Sequence, residues 1–291
     1  MKNNSHIAES LKIRYSVSTM KLKNLFTKLL CALVLALSLT GCLSTSTDGS
    51  VAGGNRGQLL LVSEEQLNES ARISYAQVLA EAKAQGKLNT SAATTARVKR
   101  IADRLIAQVG AFRTDATKWK WEVNVITDDT INAWCMPGGK IVVYTGIIQT
   151  LNLTDGELAA VMGHEIAHAL REHSREQASQ ELLRQLGVAA FADLTGMSDT
   201  GTVLVDVVTQ CTISLPHSRT HETEADVYGT ELMARAGYDP HEAVNIWKKM
   251  SALNARETPE ILSTHPSNSS RISNLTQVAE KVYPLYLAAK K

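Results

Sequence analysis

Three absences narrow what this 291-residue chain can be. Charge of one sign is lacking: the formal net charge is +1, and no segment carries the basic stripe that nucleic-acid binding needs. Nucleic acid is therefore excluded as a partner. The apolar run near the start, Leu29 to Leu39, is too short to span a bilayer comfortably as a permanent helix. Cysteine is sparse, with four in all (Cys31, Cys42, Cys135 and Cys211), and internal repeats are absent. What remains is a chain that is 44% hydrophobic and long enough for one or two packed domains with a real core.

The N-terminal segment carries its own signals. From Met20, which is a better start than Met1, Lys21, Lys23 and Lys28 precede the apolar run, as in a secretory signal. Leu39-Thr40-Gly41-Cys42 then resembles a bacterial lipobox, in which the cysteine is acylated and becomes the first mature residue. Two acyl chains there give stable anchoring to a membrane. Leu43, in place of Asp, resembles an outer-membrane sorting signal. The expectation is a signal peptide over 1–41 and a lipidated, flexible Ser/Thr/Gly-rich tether over 42–58. A metallopeptidase domain with N-terminal helices follows over 59–291, and the protein sits in the periplasm, anchored to the outer membrane through Cys42. Cys135 and Cys211 then remain, and one disulfide between them is possible but not required.

Apolar residues recur at helical spacing over 63–87 and 91–110. Alternation over 119–126 predicts a half-buried strand, and two short strands flank the turn Pro137-Gly138-Gly139. Thr154 with Glu157 three residues on is a capping-box start for a helix running to about His173. Further helices are expected over 175–194, 202–213, 218–236 and 240–255, with a last one after Pro266. The apolar, nearly uncharged stretch 187–216 reads as a buried or partner-facing helical pair. The fold class is α+β, helix-dominated, with a small sheet ahead of the central helix.

That helix holds the strongest chemical signal. His164 and His168 are four residues apart, so their imidazoles lie one turn apart on one face and can chelate a single ion. Glu165 projects about a quarter-turn away, where it can act as a base without ligating. Neutral imidazole and carboxylate donors suit zinc, and catalysis needs three protein ligands and one open position. The flanking residues are apolar and Gly163 permits close backbone approach, so these polar groups lie on a core helix that a metal would compensate. His173, about 140° around from His168, is expected on the surface. The third ligand is expected from Glu222 or Glu224, with Asp226 one turn beyond Glu222.

His164-Glu165-x-x-His168 followed by Glu222-x-x-Ala225-Asp226 resembles the zincin pattern (gluzincin type) of the HtpX-like, OMA-like and CAAX-prenyl-protease-like metallopeptidases. Asn132-Ala133-Trp134, Gly138-Gly139-Lys140-Ile141, Leu215-Pro216-His217-Ser218-Arg219 and Ser263-Thr264-His265-Pro266-Ser267 with Arg271 extend the match over about 131–275. The likeness is greatest to LoiP-like periplasmic lipoprotein members. It implies one Zn²⁺ per chain, Glu222 as third ligand and Asp226 behind a ligating imidazole, leaving Glu224 solvated. It also implies that His265 faces the cleft, donating to the oxyanion or closing the fourth zinc position. Arg271 is expected to support that loop or the oxyanion, and His217, where the family has Tyr, is a spare ligand near the site.

The implied function is zinc-dependent endopeptidase activity on unfolded or misassembled envelope proteins, with an envelope partner possible. Substrate would add to the strand edge at Asn132, Ala133 and Trp134. The alternative is a lipoprotein chaperone or binding protein whose metal site is latent or structural. A structural site is closed by four ligands, which His265 could complete, although retention of Glu165 argues against that.

Overall fold

The computed structural model describes residues 43–195, 216–253, 259–265 and 270–290. The expected signal segment, Cys42, the helix over 202–213 and Cys211 lie outside the described residues. Two compact units divide the chain, Met1–Leu43 and Ser44–Lys291, and everything below concerns the second.

Nine helices and three strands of that unit position the site. They run α1 (Glu64–Ala84), α2 (Ala92–Ile106), β1 (Glu122–Ile126), β2 (Ala133–Met136), β3 (Lys140–Tyr144), α3 (Thr145–Thr150), α4 (Asp155–Leu170), α5 (His173–Thr195), α6 (Arg219–Arg235), α7 (Glu242–Ser251), α8 (Glu260–Thr264) and α9 (Arg271–Ala289). Each expected helix that falls on described residues is present, and α3 and α8 are additional. The α+β, helix-dominated class stands. No helix among the described residues is long and apolar enough to cross a membrane.

The sheet is ordered β1-β3-β2, with β3 parallel to β1 and antiparallel to β2. Gly138 and Gly139 turn the β2–β3 hairpin at φ of 74° and 80°, values that glycine adopts without the usual Cβ penalty. Side chains alternate between two apolar layers, as the two-residue period requires. Ala133, Cys135, Ile141 and Val143 join the main core with α2, α4, α6, α7 and α9. Trp134, Met136 and Val142 face the other way, against Ala71 and Tyr75 of α1. Trp134 meets the Tyr75 ring edge-on, with centroids 6.0 Å apart. Its side chain is therefore used in packing, and β2 can offer a substrate only its backbone.

Helix α4 is the centre of the main core. Thr154 and Glu157 form the expected capping box: Glu157 N–H donates to Thr154 Oγ1 at 3.2 Å, and Thr154 N–H donates to Glu157 Oε2 at 2.9 Å. Almost every residue that follows is buried, which suits a helix packed on all sides. Replacing Thr154 with Ala is expected to cost about 1 kcal/mol of stability, read as a lower urea midpoint with unchanged slope. An unchanged midpoint would show that the cap contributes nothing.

Over Ser44–Gln58, where a tether is expected, the chain instead lies bonded across the back of α4, α5 and α6. Asp48 N–H donates to Phe112 O at 2.8 Å, Val51 N–H to Glu231 Oε2 at 2.8 Å, and Gln58 Nε2 to Arg171 O at 2.6 Å. Thr47 Oγ1 donates to Tyr228 Oη at 3.2 Å, and Arg56 forks onto Glu176 at 2.6 and 2.7 Å. Its low apolar content suggested mobility, but these are polar attachments, invisible to a hydrophobic pattern. Cys135 is buried and has no disulfide partner among the described residues.

Candidate metal centre

Two helices build the site, and two glycines set their distance. Gly163 of α4 faces Gly229 of α6 at the crossing. A Cβ on Gly229 would lie 2.7 Å from His164 N and 2.8 Å from the Gly163 carbonyl carbon. Only the bare backbone allows this approach, and it brings the α6 carboxylates against the α4 histidines.

The donor atoms converge. Nε2 of His164 lies 3.1 Å from Nε2 of His168 and 3.3 Å from Nδ1 of His265. Oε1 of Glu222 lies 2.9 Å from Nδ1 of His265 and 3.3 Å from Nε2 of His168. All four groups offer ligand atoms within 4.8 Å of one another, and three of the four are buried. Bonds of roughly 2.0–2.1 Å to a tetrahedral zinc ion put neighbouring donors about 3.3 Å apart, so the set fits that ion.

The electrostatics agree. Burial disfavours charging His164, but hydrogen bonds to Asp226 and Glu222 outweigh it and raise its pKa to about 9. The cluster therefore draws positive charge, which a divalent cation supplies. Burial, partly offset by Glu222, holds His168 well below its ordinary value, keeping it a neutral imidazole as a ligand must be. Burial alone would raise Glu222, but His265, His164 and His168 hold its carboxyl well below the usual range.

Surrounding groups orient the donors. Asp226 Oδ1 sits 3.0 Å from Nδ1 of His164, as expected for the carboxylate behind a ligating imidazole. Arg271 donates to Asp226 Oδ1 at 2.8 Å and to Glu222 Oε2 at 2.7 Å, and its guanidinium lies 3.5 Å over the Trp247 ring. It thus holds Oε2 of Glu222 and leaves Oε1 toward the histidines. Among the described residues, Arg271 donates to both of these carboxylates of α6.

Glu165 is buried beside the quartet. Its Oε1 accepts no hydrogen bond among the described residues and lies 3.4 Å from Nε2 of His265. Burial raises its pKa above the ordinary value, partly offset by His265 and His164. An unsatisfied buried carboxylate is costly, and such groups concentrate where chemistry needs them.

His173 and Glu224 are not on the surface, where they were expected. Helix α4 stops at Leu170, and Glu172 takes a φ of 50°, so His173 opens a new helix and turns inward. It is fully buried, as is Glu224 but for a few per cent. His217 lies tilted against the His168 ring at 4.1 Å between centroids, its Nδ1 without a hydrogen-bond partner among the described residues, and is placed beside the ligands. Asn132 is buried and donates through Nδ2 to Glu260 Oε1 at 3.1 Å, tying the start of β2 to the helix before His265.

Fold and site together define a zincin-type metallopeptidase, with HExxH on the core helix α4 and a glutamate from α6. Comparison with known proteins then gives the family: residues 92–279 match Peptidase family M48, and the chain belongs to it. Zinc is the metal of that family, as the donor set requires. The chain is 38% identical over 171 residues to the mitochondrial metalloendopeptidase OMA1 of Arabidopsis thaliana, covering 57% of this chain and 33% of that protein. The Schizosaccharomyces pombe protein of the same name is 36% identical over 186 residues, covering 63% and 52%. A beta-barrel assembly-enhancing protease of Yersinia pestis is 29% identical over 202 residues, covering 65% and 40%. The chain thus spans a third to about half the length of these relatives.

The relatives correct one expectation. Those with the higher identity are mitochondrial proteins, and the bacterial protease is more distant. They point to mitochondria and contradict the placement in the periplasm on the outer membrane. That placement rested on a short N-terminal pattern outside the matched region.

Proposed function

We propose that this chain is a zinc-dependent endopeptidase that cleaves unfolded or misassembled polypeptides, a protein quality-control activity. The observation that carries the proposal is the pairing of a convergent His164/His168/Glu222/His265 donor set with an unpartnered, buried Glu165 oxygen beside it. Zinc, when bound, polarises the scissile carbonyl and lowers the pKa of water at the site. Glu165, its basicity raised by burial, takes the proton of the attacking water through Oε1 and passes it to the leaving amine. Asp226 and Arg271 keep the His164 ring and the Glu222 carboxylate in place while this happens.

Substrate in extended form adds to β2, which is an edge strand of its sheet and packs against α4. Recognition through backbone hydrogen bonds accepts many sequences and requires an unfolded segment, which suits a quality-control substrate.

His265 is the fourth donor and also stands 3.4 Å from Glu165, so it closes the open position and covers the base. The same closure favours a second reading, a binding protein with a structural zinc site. A casein assay on the purified protein with zinc, with chelator and with zinc restored tests both. Cleavage that chelator abolishes supports the peptidase. A zinc-loaded protein that cleaves nothing, as wild type and as His265→Ala, supports the binding protein. His265→Ala is expected to raise the rate; a fall would assign His265 to the oxyanion instead.

A further inference from the structure

Behind the four donors lies a second buried layer that the hydrolytic step does not touch. Nδ1 of His173 lies 2.9 Å from Nδ1 of His168, and Nε2 of His173 lies 2.9 Å from Oε2 of Glu224. Glu224 in turn accepts hydrogen bonds from Arg171 Nη2 at 3.1 Å and from Arg56 Nη2 at 3.3 Å. The chain of contacts joins α4, α5, α6 and the segment over Ser44–Gln58.

These partners settle where the protons sit. A carboxylate held by two guanidinium groups only accepts, so Nε2 of His173 carries its proton. The lone pair of a neutral His173 is then on Nδ1, and His168 must donate to it through its own Nδ1–H. That leaves the lone pair of His168 on Nε2, the atom that faces His164 and Glu222. The two ligating histidines are thus oriented differently: His164 by a carboxylate directly, His168 by an imidazole with a carboxylate behind it.

We propose that His173 is a positioning residue of the metal centre: the Glu224–His173–His168 chain fixes the tautomer and ring orientation of His168 and so presents Nε2 as a zinc donor. The inference rests on the zinc-peptidase reading and extends it to a residue that touches neither metal nor substrate. Groups that orient ligating histidines in this way contribute about 10–100-fold to metal affinity.

The test compares zinc dissociation constants of the full chain, by competition with a chromophoric chelator, for wild type, His173→Phe and His173→Asn. Phe keeps the ring volume and removes both polar atoms; Asn keeps an acceptor oxygen near the place of Nδ1. Zinc affinity should fall about 10–100-fold in His173→Phe and recover largely in His173→Asn. Binding by His173→Phe within about twofold of wild type, or no recovery with Asn, overturns the inference. Should the Phe variant fail to fold, long-range ¹H–¹⁵N spectra of the wild-type histidines decide. A proton on Nε2 of His173 supports the assignment, and a proton on its Nδ1 overturns it. Wild-type protein that binds no zinc overturns the peptidase reading and this inference with it, whereas tight wild-type binding with an unaffected Phe variant overturns this inference alone.

Discussion

Glu165→Gln is expected to lower kcat for casein by about 10²–10⁴-fold with zinc content unchanged. The substitution keeps the shape of the side chain and removes only its ability to take a proton. Glu165 is not within the donor quartet, so metal retention should not depend on it. Both halves of the expectation are needed. Loss of activity together with loss of zinc would show a ligand or a structural role, and full activity with zinc bound would falsify the assignment of the base. The buried setting explains why the effect should be large. Among the described residues Oε1 of Glu165 accepts no hydrogen bond, and its one close polar neighbour is Nε2 of His265 at 3.4 Å, so the acceptor is not spent on a strong bond.

The second large effect is expected from a single methyl group at the helix crossing. In Gly229→Ala the new Cβ would fall 2.7–2.8 Å from backbone atoms of Gly163 and His164, where no side chain can swing away. The helices must separate, and overpacking of this kind costs about 1–3 kcal/mol, occasionally more. For a unit of this size the melting midpoint should drop by about 2–4 °C per kcal/mol. Zinc affinity should fall as well, because Glu222 and Asp226 reach the α4 histidines only at the present spacing. A variant with wild-type melting and wild-type zinc affinity would show that the close crossing is incidental. The control is Gly53, where a Cβ would meet nothing within 4 Å. Its φ of 116° makes even that change strained, but it leaves the metal centre alone.

Those two residues mark what a sequence can reveal of such a site. His164, Glu165 and His168 were legible because helix periodicity alone puts them on one surface, and Gly163 beside them suggested close approach. Glu222 and Asp226 needed the family resemblance to rank them above Glu224, because two carboxylates on one helix can each face a neighbour. The sheet was legible from its alternation and its Pro-Gly-Gly turn, although not its 1-3-2 order, which depends on a parallel pairing between two strands that are not consecutive in the chain.

His173 was misplaced for a local reason. Extending α4 through Glu172 carries it to the surface, whereas one residue at positive φ ends the helix and sends it inside. Glu224 was misplaced for a non-local one. Its partners Arg56, Arg171 and His173 come from three other parts of the chain, and buried ion pairs leave no periodic trace. Arg271 likewise resolves only when α9 is packed against α6 and Trp247 lies beneath it.

The segment over Ser44–Gln58 has a consequence for where this protein can be cut. Homology marks the recognisable portion as 92–279, and a truncation designed on that boundary would begin nearly fifty residues after Ser44. It would strip Arg56 and Gln58 from Glu176, Glu224 and the Arg171 carbonyl, leaving Glu224 with Arg171 as its one guanidinium and Glu176 with His221. Such a fragment should aggregate or lose its metal while still containing every ligand. The smallest autonomous unit of this peptidase is therefore longer than the stretch that its relatives make recognisable, and its first working residue lies well ahead of its first familiar one.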